Sequence, residues 1–424
     1  MKQTSENVKN IGWRVTFAGL GINLALGILY TWSVLSKGIP ESWNWTESNK
    51  SLPYSVACLV FSIIMVLAGR LQDKFGPRVV ATVGGALTGL GMVLCSTTTS
   101  PLGFVLGFGL LAGSGIGFGY ASATPPAVKW FPKEKTGLIA GLVVSGFGLA
   151  SAYAAPLANY LNANYGTQHT MLMLGILFFF VVVILSQLLK APPAGYVPKG
   201  SAPAPSANLG INAKKEDFTP KEVLSTVQFY LLWFMYACGA GAGLMIIGKM
   251  AVIAQKQAGL SLGFILVAVL AVGNGGGRIL AGMLSDKLGR KATMILCFLS
   301  QAVLITVLSR ATAGTLLARA PVLAVISALI GANYGANLAL FPSITKDFYG
   351  LKNFGVNYGL VFTAWGVGGF TLALVAGKVY DVYHTFVYAY YGAVVLLIMA
   401  AIVTLAVKTP GHKQGPALTK ATKS

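Results

Sequence analysis

Long apolar runs alternate along the chain with short segments rich in proline, glycine or charge. Each run has about 20 residues, the length that an α-helix needs to cross a hydrocarbon layer about 30 Å thick. The predicted spans are 12–36, 51–72, 78–98, 102–124, 136–160, 167–189, 228–252, 260–284, 292–311, 320–341, 355–379 and 384–407. The pattern therefore predicts an all-α polytopic membrane protein with twelve transmembrane helices.

The spans fall into two sets of six, separated by a stretch rich in Pro, Ala, Gly, Ser and Lys. We predict an N-terminal half at 1–190, a cytoplasmic linker at 191–226, a C-terminal half at 227–410 and a cytoplasmic tail at 411–424. A Gly-x-Leu-x-Asp-x-x-Gly pattern recurs at an offset of 213 residues, from position 69 to position 282, which predicts two pseudo-symmetric six-helix halves. Its members are Gly69, Leu71, Asp73 and Gly76, then Gly282, Leu284, Asp286 and Gly289.

Composition narrows the class of protein further. With 55% hydrophobic and 10% charged residues, the chain is neither disordered nor fibrous. The net charge of +20 does not indicate nucleic-acid binding, because the basic residues form small clusters between apolar runs. The four cysteines lie inside apolar runs without a CxxC pair, and the three histidines are scattered. No disulfide framework, metal site or cofactor is therefore expected.

The basic residues also predict the orientation in the membrane. If both termini lie inside, 23 of the 31 Lys and Arg residues fall on the inner side, six fall outside, and Lys249 and Arg278 lie within spans. This bias predicts that both termini are cytoplasmic. The short loops favour a bacterial inner-membrane protein, which we expect to be a monomer in the lipid bilayer.

Arg278 is the residue around which we interpret the sequence. It lies near mid-depth of the eighth predicted span, where an arginine costs from about 3 to more than 10 kcal/mol. All eleven acidic residues lie in or beside predicted loops, so no carboxylate is deep enough to neutralise it. Such an arginine is usually kept for a partner, a water-filled path or a ligand.

The Asp73 and Asp286 segments, each followed by a basic residue, resemble the loop signature of the major facilitator superfamily after its second and eighth helices. A narrower set of pieces resembles the branch of monocarboxylate transporters and oxalate:formate antiporters. These pieces are Trp130-Phe131-Pro132 with Gly137 to Gly148, Gln228-Phe229 with Trp233, Leu340-Phe341-Pro342, Asp347-Phe348 with Gly350, and Asn357-Tyr358-Gly359. The resemblance covers nearly all of the chain except the linker and the tail.

The resemblance implies that Arg278 binds the carboxylate of a substrate. Two positions depart from the family pattern. Trp365 stands where the oxalate exchanger carries a lysine, which argues against a dianionic substrate. Asn274 stands where proton-coupled animal members carry an aspartate, which puts the proton step of the family in doubt.

Several apolar and aromatic residues are further candidates for substrate binding. They lie near mid-span on helices that line the cavity in this superfamily, and they are Leu29, Tyr30, Tyr120, Tyr334, Phe362 and Trp365. The alternative for each aromatic residue is a packing or lipid-facing role. Tyr120 and Tyr334 are favoured because their small neighbours are expected to leave room for a ligand.

The sequence thus predicts a transporter whose halves rock about a central site, carrying a small monocarboxylate such as lactate or pyruvate by proton symport. An organic anion exchanger remains the alternative. An enzyme is not expected, because no acid/base or nucleophile pair converges. Asp381 is the candidate for proton coupling, unless it merely caps a loop beside Lys378. The candidates for conformational switching are Gly69, Asp73, Arg78, Gly282, Asp286 and Arg290.

Overall fold

The computed structural model describes residues 9–132, 135–193, 196, 198, 217–350 and 353–410, with the Asp73 side chain outside that description. Within these residues, helix Thr136–Ser186 divides at Gly166, whose φ of 75° and ψ of 171° break the helical path. Counting its two parts separately gives the twelve predicted spans. They are α1 Gly12–Lys37, α2 Glu47–Phe75, α3 Pro77–Ser96, α4 Pro101–Val128, α5 136–165, α6 167–186, α7 Val227–Lys256, α8 Gly263–Leu288, α9 Arg290–Ser309, α10 Ala320–Tyr349, α11 Phe354–Tyr383 and α12 Val387–Ala406.

Several helices extend beyond their apolar runs. The predicted end of the tenth span at residue 341 is wrong, since α10 runs to Tyr349 with Pro342 inside it. The repeated Asp286 likewise belongs to the last turn of α8 rather than to a loop. Hydropathy marks only the part of a helix in hydrocarbon, whereas these helices continue until a glycine with positive φ ends them, as Gly289 does at 87° and Gly350 does at 79°.

We call the two ends of the helix bundle the Glu47 end and the Arg290 end. The Glu47 end carries the α1–α2, α7–α8 and α11–α12 connections, and the Arg290 end carries the α2–α3, α8–α9 and α10–α11 connections. Helices α2 and α11 run antiparallel between the halves, as do α5 and α8. These two helix pairs form the interface between the halves.

The halves are in close contact from the Glu47 end to the level of Arg278. On α11, a Cβ at Gly377 would meet Ser51 and Glu47 of α2, and one at Gly366 would meet Ser62. Toward the Arg290 end, along the same faces of these helices, the two halves separate. A Cβ at Gly359 of α11 would still meet Val66 of α2 at 3.5 Å. Beyond that level a Cβ would meet nothing within 4 Å at Gly69, Gly141, Gly282 and Gly355. The interface is therefore closed at the Glu47 end and parted at the Arg290 end.

The last residues of the predicted linker pack on the C-terminal half. Thr219 and Glu222 form a capping box for the short helix Pro220–Leu224. The backbone N–H of Phe218 donates to the Tyr349 carbonyl at 3.1 Å. Most of the linker and the whole tail, 411–424, lie outside the described residues, so the domain limits stay a prediction.

Candidate substrate site between the halves

Arg278 reaches from α8 of one half to α5 of the other. Its Nε donates to Asn274 Oδ1 at 3.1 Å, one helical turn away, and its NH1 donates to the Val144 carbonyl at 2.9 Å. The guanidinium packs over Gly148, where a Cβ would come within 3.2 Å of NH2. The missing side chain of Gly148 therefore gives the arginine its place against α5.

The buried polar atoms of Arg278 and Asn274 that lack a hydrogen-bond partner are donors. Arg278 NH2 and Asn274 Nδ2 are buried, and neither finds an acceptor among the described residues. Arg278 also forms no ion pair with any carboxylate in the described part of the chain. A buried positive group with unused N–H donors is costly unless an acceptor joins it. The arrangement therefore suits an anion.

Three side chains form a hydrogen-bonded chain beside the site. The Trp365 indole N–H donates to the Tyr334 hydroxyl at 2.8 Å, and the Tyr334 and Tyr30 hydroxyls are 2.6 Å apart. Indole can only donate, so these groups hold three hydrogens and form two bonds among themselves. One hydroxyl hydrogen thus remains for a further acceptor. All three residues are at most 3% exposed, so this chain is shielded from solvent.

Aromatic rings continue this wall. Phe362 stacks on Trp365 with ring centroids 5.1 Å apart and an interplanar angle of 11°. Phe61 meets both rings edge-on from the other half. Tyr120 packs on Phe61, and its hydroxyl lies close to the Arg278 guanidinium. Among the predicted site residues, Leu29 and Tyr30 are neighbours in a buried 3₁₀ segment of α1.

The expectation that small neighbours of Tyr120 and Tyr334 leave room for a ligand is wrong. A Cβ at Gly119 would collide with Leu26, and one at Gly335 would collide with the Asn274 carbonyl. The glycines bring helices close together, as small residues commonly do in membranes. The role of Tyr120 and Tyr334 in substrate binding stays a prediction.

The repeated motif in the C-terminal half ties three helices together at the Arg290 end. Arg290 at the start of α9 pairs with Asp286 of α8 at 2.8 Å and with Asp347 of α10 at 3.1 Å. In the N-terminal half, the matching turn has Gly76 at φ 83°, and Arg78 is exposed in the first turn of α3. The motif residues lie at the Arg290 end of the bundle, away from Arg278.

A buried ion-pair cluster at the Glu47 end was missed by the sequence reasoning, which put every acid in or beside a loop. Glu47, 4% exposed, receives Lys249 Nζ at 2.7 Å and Lys256 Nζ at 3.0 Å, both from α7 of the other half. Lys50 Nζ lies 3.6 Å from the same carboxylate. The signal in the sequence was Lys249 itself, since a lysine within a span needs a partner.

Asp381 also joins the halves at this end. Its carboxylate oxygens accept the backbone N–H groups of Glu47 at 2.7 Å and of Ser48 at 2.8 Å. These donors are the free N–H groups at the start of α2, where a negative charge is favourable. Asp381 thus caps a helix of the opposite half. Its role in proton coupling stays a prediction.

Several relatives with similar sequences are membrane transporters. The chain is 27% identical over 367 residues to the uncharacterised MFS-type transporter YhjX of Escherichia coli, covering 86% of this chain and 87% of that one. It is 26% identical to the oxalate:formate antiporter of Oxalobacter formigenes, covering 85% and 84%. It is 27% identical to the mouse monocarboxylate transporter 11, covering 65% of this chain and 60% of the mouse protein.

The fold and the family agree with these relatives. A solved structure of a bacterial homologue of the human lysosomal transporter Spinster superposes with a TM-score of 0.68 at 15% identity, covering 94% of this chain and 97% of that one. The family model of the Major Facilitator Superfamily matches residues 15–315 and 261–424. The relatives include monocarboxylate transporters and the oxalate:formate antiporter, and the chain itself belongs to the major facilitator superfamily.

Proposed function

We propose that this protein is a secondary active transporter of small monocarboxylates of the lactate or pyruvate type. The observation that carries the proposal is the pair of buried donors without acceptors, Arg278 NH2 and Asn274 Nδ2. A carboxylate has two acceptor oxygens and a negative charge, so it can satisfy both donors and neutralise the guanidinium. The leftover hydroxyl hydrogen of the Tyr30 and Tyr334 pair supplies a third donor.

The wall around Arg278 supports one carboxylate rather than two. Trp365 and Phe362 present stacked apolar rings where a second cation would be needed for a dianion. Leaving a second carboxylate desolvated and unpaired costs several kcal/mol. The rings instead suit the short apolar part of a substrate such as lactate or pyruvate.

The two ends of the interface support alternating access. We expect the Arg290 end on the cytoplasmic side and the Glu47 end on the outer side of a bacterial inner membrane, because the distribution of Lys and Arg favours that orientation. The interface is then closed outside and parted inside, which is the inward-facing state of a rocking transporter. Substrate would leave Arg278 toward the cytoplasm from this state.

Proton symport is the form of coupling that we propose. A lone monocarboxylate enters against an inside-negative potential of about 2.3 kcal/mol per 100 mV, so its accumulation needs a compensating charge. Asp381 is the candidate proton carrier. Its carboxylate holds the start of α2 from the opposite half, and a proton on it would weaken that hold. Proton binding would thereby favour opening toward the outside.

Anion exchange is the second candidate, because the oxalate:formate antiporter is a relative over most of the chain. In an exchanger, a second organic anion leaving the cell compensates the charge that enters. The two functions share Arg278 and differ in what drives uptake.

Uptake of labelled L-lactate into proteoliposomes tests the proposal. We expect an inward proton gradient to stimulate uptake without internal anion, and a protonophore to remove that stimulation. If uptake requires an internal counter-anion and the gradient has no effect, exchange replaces symport. If neither condition supports uptake of lactate or pyruvate, the monocarboxylate proposal fails.

A further inference from the structure

The lysines of the Glu47 end form a site already filled by a carboxylate. Lys249 Nζ contacts Glu47 Oε2 at 2.7 Å, and Lys256 Nζ contacts Oε1 at 3.0 Å. The two lysines are seven residues apart on α7, so they lie on the same face about 10 Å from each other along the helix axis. Both oxygens of one carboxylate are thus held by two cations from a single helix.

The carboxylate belongs to the opposite half of the protein. Glu47 begins α2 and moves with the N-terminal half, together with Lys50 beside it. Lys249 and Lys256 move with the C-terminal half. When the halves part at this end, the lysines are left without their counter-ion. Lys249, now 2% exposed, would then face the opened path. An ammonium pair taken from its carboxylate binds another anion readily, because leaving it unpaired and partly desolvated is costly.

We propose that Lys249 and Lys256 form an outer carboxylate subsite, which Glu47 fills while the outer path is closed and the substrate carboxylate fills when that path is open. This inference rests on the proposed function, since it requires a monocarboxylate carried by rocking halves. Lys249 lies deeper along α7 than Lys256, between the outer mouth and the central site. The two lysines therefore lead an incoming anion from the mouth toward Arg278.

Glu47 acts in this scheme as a tethered competitor of the substrate. When the outer path closes, its carboxylate returns to the lysines and displaces the substrate from them. The displaced anion then binds at Arg278, which has no carboxylate partner in the described part of the chain. Additional lysines at the same end, Lys37, Lys50 and Lys378, add a positive field that draws anions to the mouth.

The test measures binding of ¹³C-labelled L-lactate by NMR line broadening to the full-length protein in lipid nanodiscs. The starting variant is Arg278→Gln, which disables the central site. Adding Glu47→Gln removes the competitor, and we expect lactate affinity to rise about tenfold, or about 1.4 kcal/mol. The gain should shrink in high salt. Adding Lys249→Gln as a third change should return the affinity to that of Arg278→Gln alone.

Lys378→Gln is the matched control, because Lys378 is an exposed lysine at the same end of the bundle. It should leave the gain intact. If Lys378→Gln removed the gain in lactate affinity as fully as Lys249→Gln does, the gain would come from the general positive field of this end rather than from a subsite. That result would overturn the proposal. No gain in folded Glu47→Gln/Arg278→Gln protein would overturn it too.

A second variant, Asp381→Asn, tests the proposal even if the Glu47→Gln protein misfolds. Asp381→Asn weakens the outer closure while leaving Glu47 and both lysines in place. In the Arg278→Gln background it should raise lactate affinity by a smaller factor, and Lys249→Gln should again remove the gain. No gain here would overturn the subsite. All these measurements are made without a working central site, so they are independent of whether Arg278→Lys abolishes transport, which tests the proposed function.

Discussion

The guanidinium of Arg278 donates to the backbone carbonyl of Val144 at 2.9 Å, which joins the two halves of the protein at the level of the site. A second nitrogen of the same group, NH2, is left without an acceptor among the described residues. One side chain thus holds the halves together and offers a donor to an anion. In the proposed function, substrate binding and the contact between the halves would share this single group.

Asn274→Asp should place a carboxylate against Arg278. The Asn274 oxygen already accepts from Arg278 Nε at 3.1 Å, so an ionised carboxylate there would pair with the guanidinium and compete with the substrate. We expect lactate uptake at pH 7 to fall about tenfold. Acidification should restore part of it, because a protonated carboxyl group no longer competes.

Uptake measured from pH 5 to pH 8 checks this prediction against the native protein. Asn274→Leu serves as the control, since it removes the amide without adding a titratable group and should not gain the same dependence on pH. Equal pH profiles for the two variants would contradict the prediction.

Gly148→Ala should weaken substrate binding by displacing Arg278. A Cβ there would lie 3.2 Å from NH2 and 3.3 Å from Cζ, closer than an ordinary contact, so the guanidinium must shift by a few tenths of an ångström. We expect lactate affinity to fall severalfold in equilibrium binding. Gly392→Ala on α12, where a Cβ meets nothing within 4 Å, is the control and should bind normally. Unchanged affinity in Gly148→Ala would show that Arg278 tolerates the shift.

The single cation of the candidate site, Arg278, predicts selectivity for substrates with one carboxylate. Trp365→Lys places a second cation beside Tyr334, so we expect it to weaken lactate transport and improve recognition of dicarboxylates. Trp365→Phe removes the N–H donor without adding charge, and it should weaken lactate transport without gaining oxalate. Competition assays with oxalate and lactate make the comparison. A native protein that already prefers oxalate would contradict the count of one cation for one carboxylate.

Asp286→Asn should slow transport while preserving ligand affinity. Asp286 pairs with Arg290, which also pairs with Asp347, so the change loosens a tie among α8, α9 and α10 at the end of the bundle. Its position is about 12 Å along α8 from Arg278, too far to touch a bound carboxylate. Uptake rates and equilibrium binding are compared on the same preparation. Loss of lactate binding by folded Asp286→Asn protein would assign the residue to the site instead.

The sequence predicted the architecture well for a physical reason. Hydrocarbon demands about 20 apolar residues per span, so spans are visible without any knowledge of contacts. The offset of 213 residues between the Gly69 and Gly282 motifs revealed the two halves, and the twelve spans and the family are confirmed. Helix ends were harder, because the polar last turns of α8 and α10 look like loops.

Contacts between the halves could not be predicted in the same way. The Glu47 and Lys249 pair joins positions 202 residues apart, and no local pattern links them. The Val144 carbonyl that holds Arg278 is a backbone group, which every residue has and no sequence marks. Intramembrane Arg278 and Lys249 were visible as charges needing a partner. Only the fold identified the partner of Lys249, whereas the lack of a carboxylate for Arg278 could be expected from the positions of the acidic residues and holds among the described residues.

Arg278→Lys tests the central claim most directly, because lysine retains the charge but loses the planar set of donors that holds Val144 and that we propose to bind a carboxylate. Lactate uptake and lactate binding are measured on the same purified variant, with Arg310→Lys at an exposed position of the Glu47 end as the control. We predict that both uptake and affinity fall at least about tenfold in Arg278→Lys and remain normal in Arg310→Lys. Native uptake by folded Arg278→Lys protein would contradict the account.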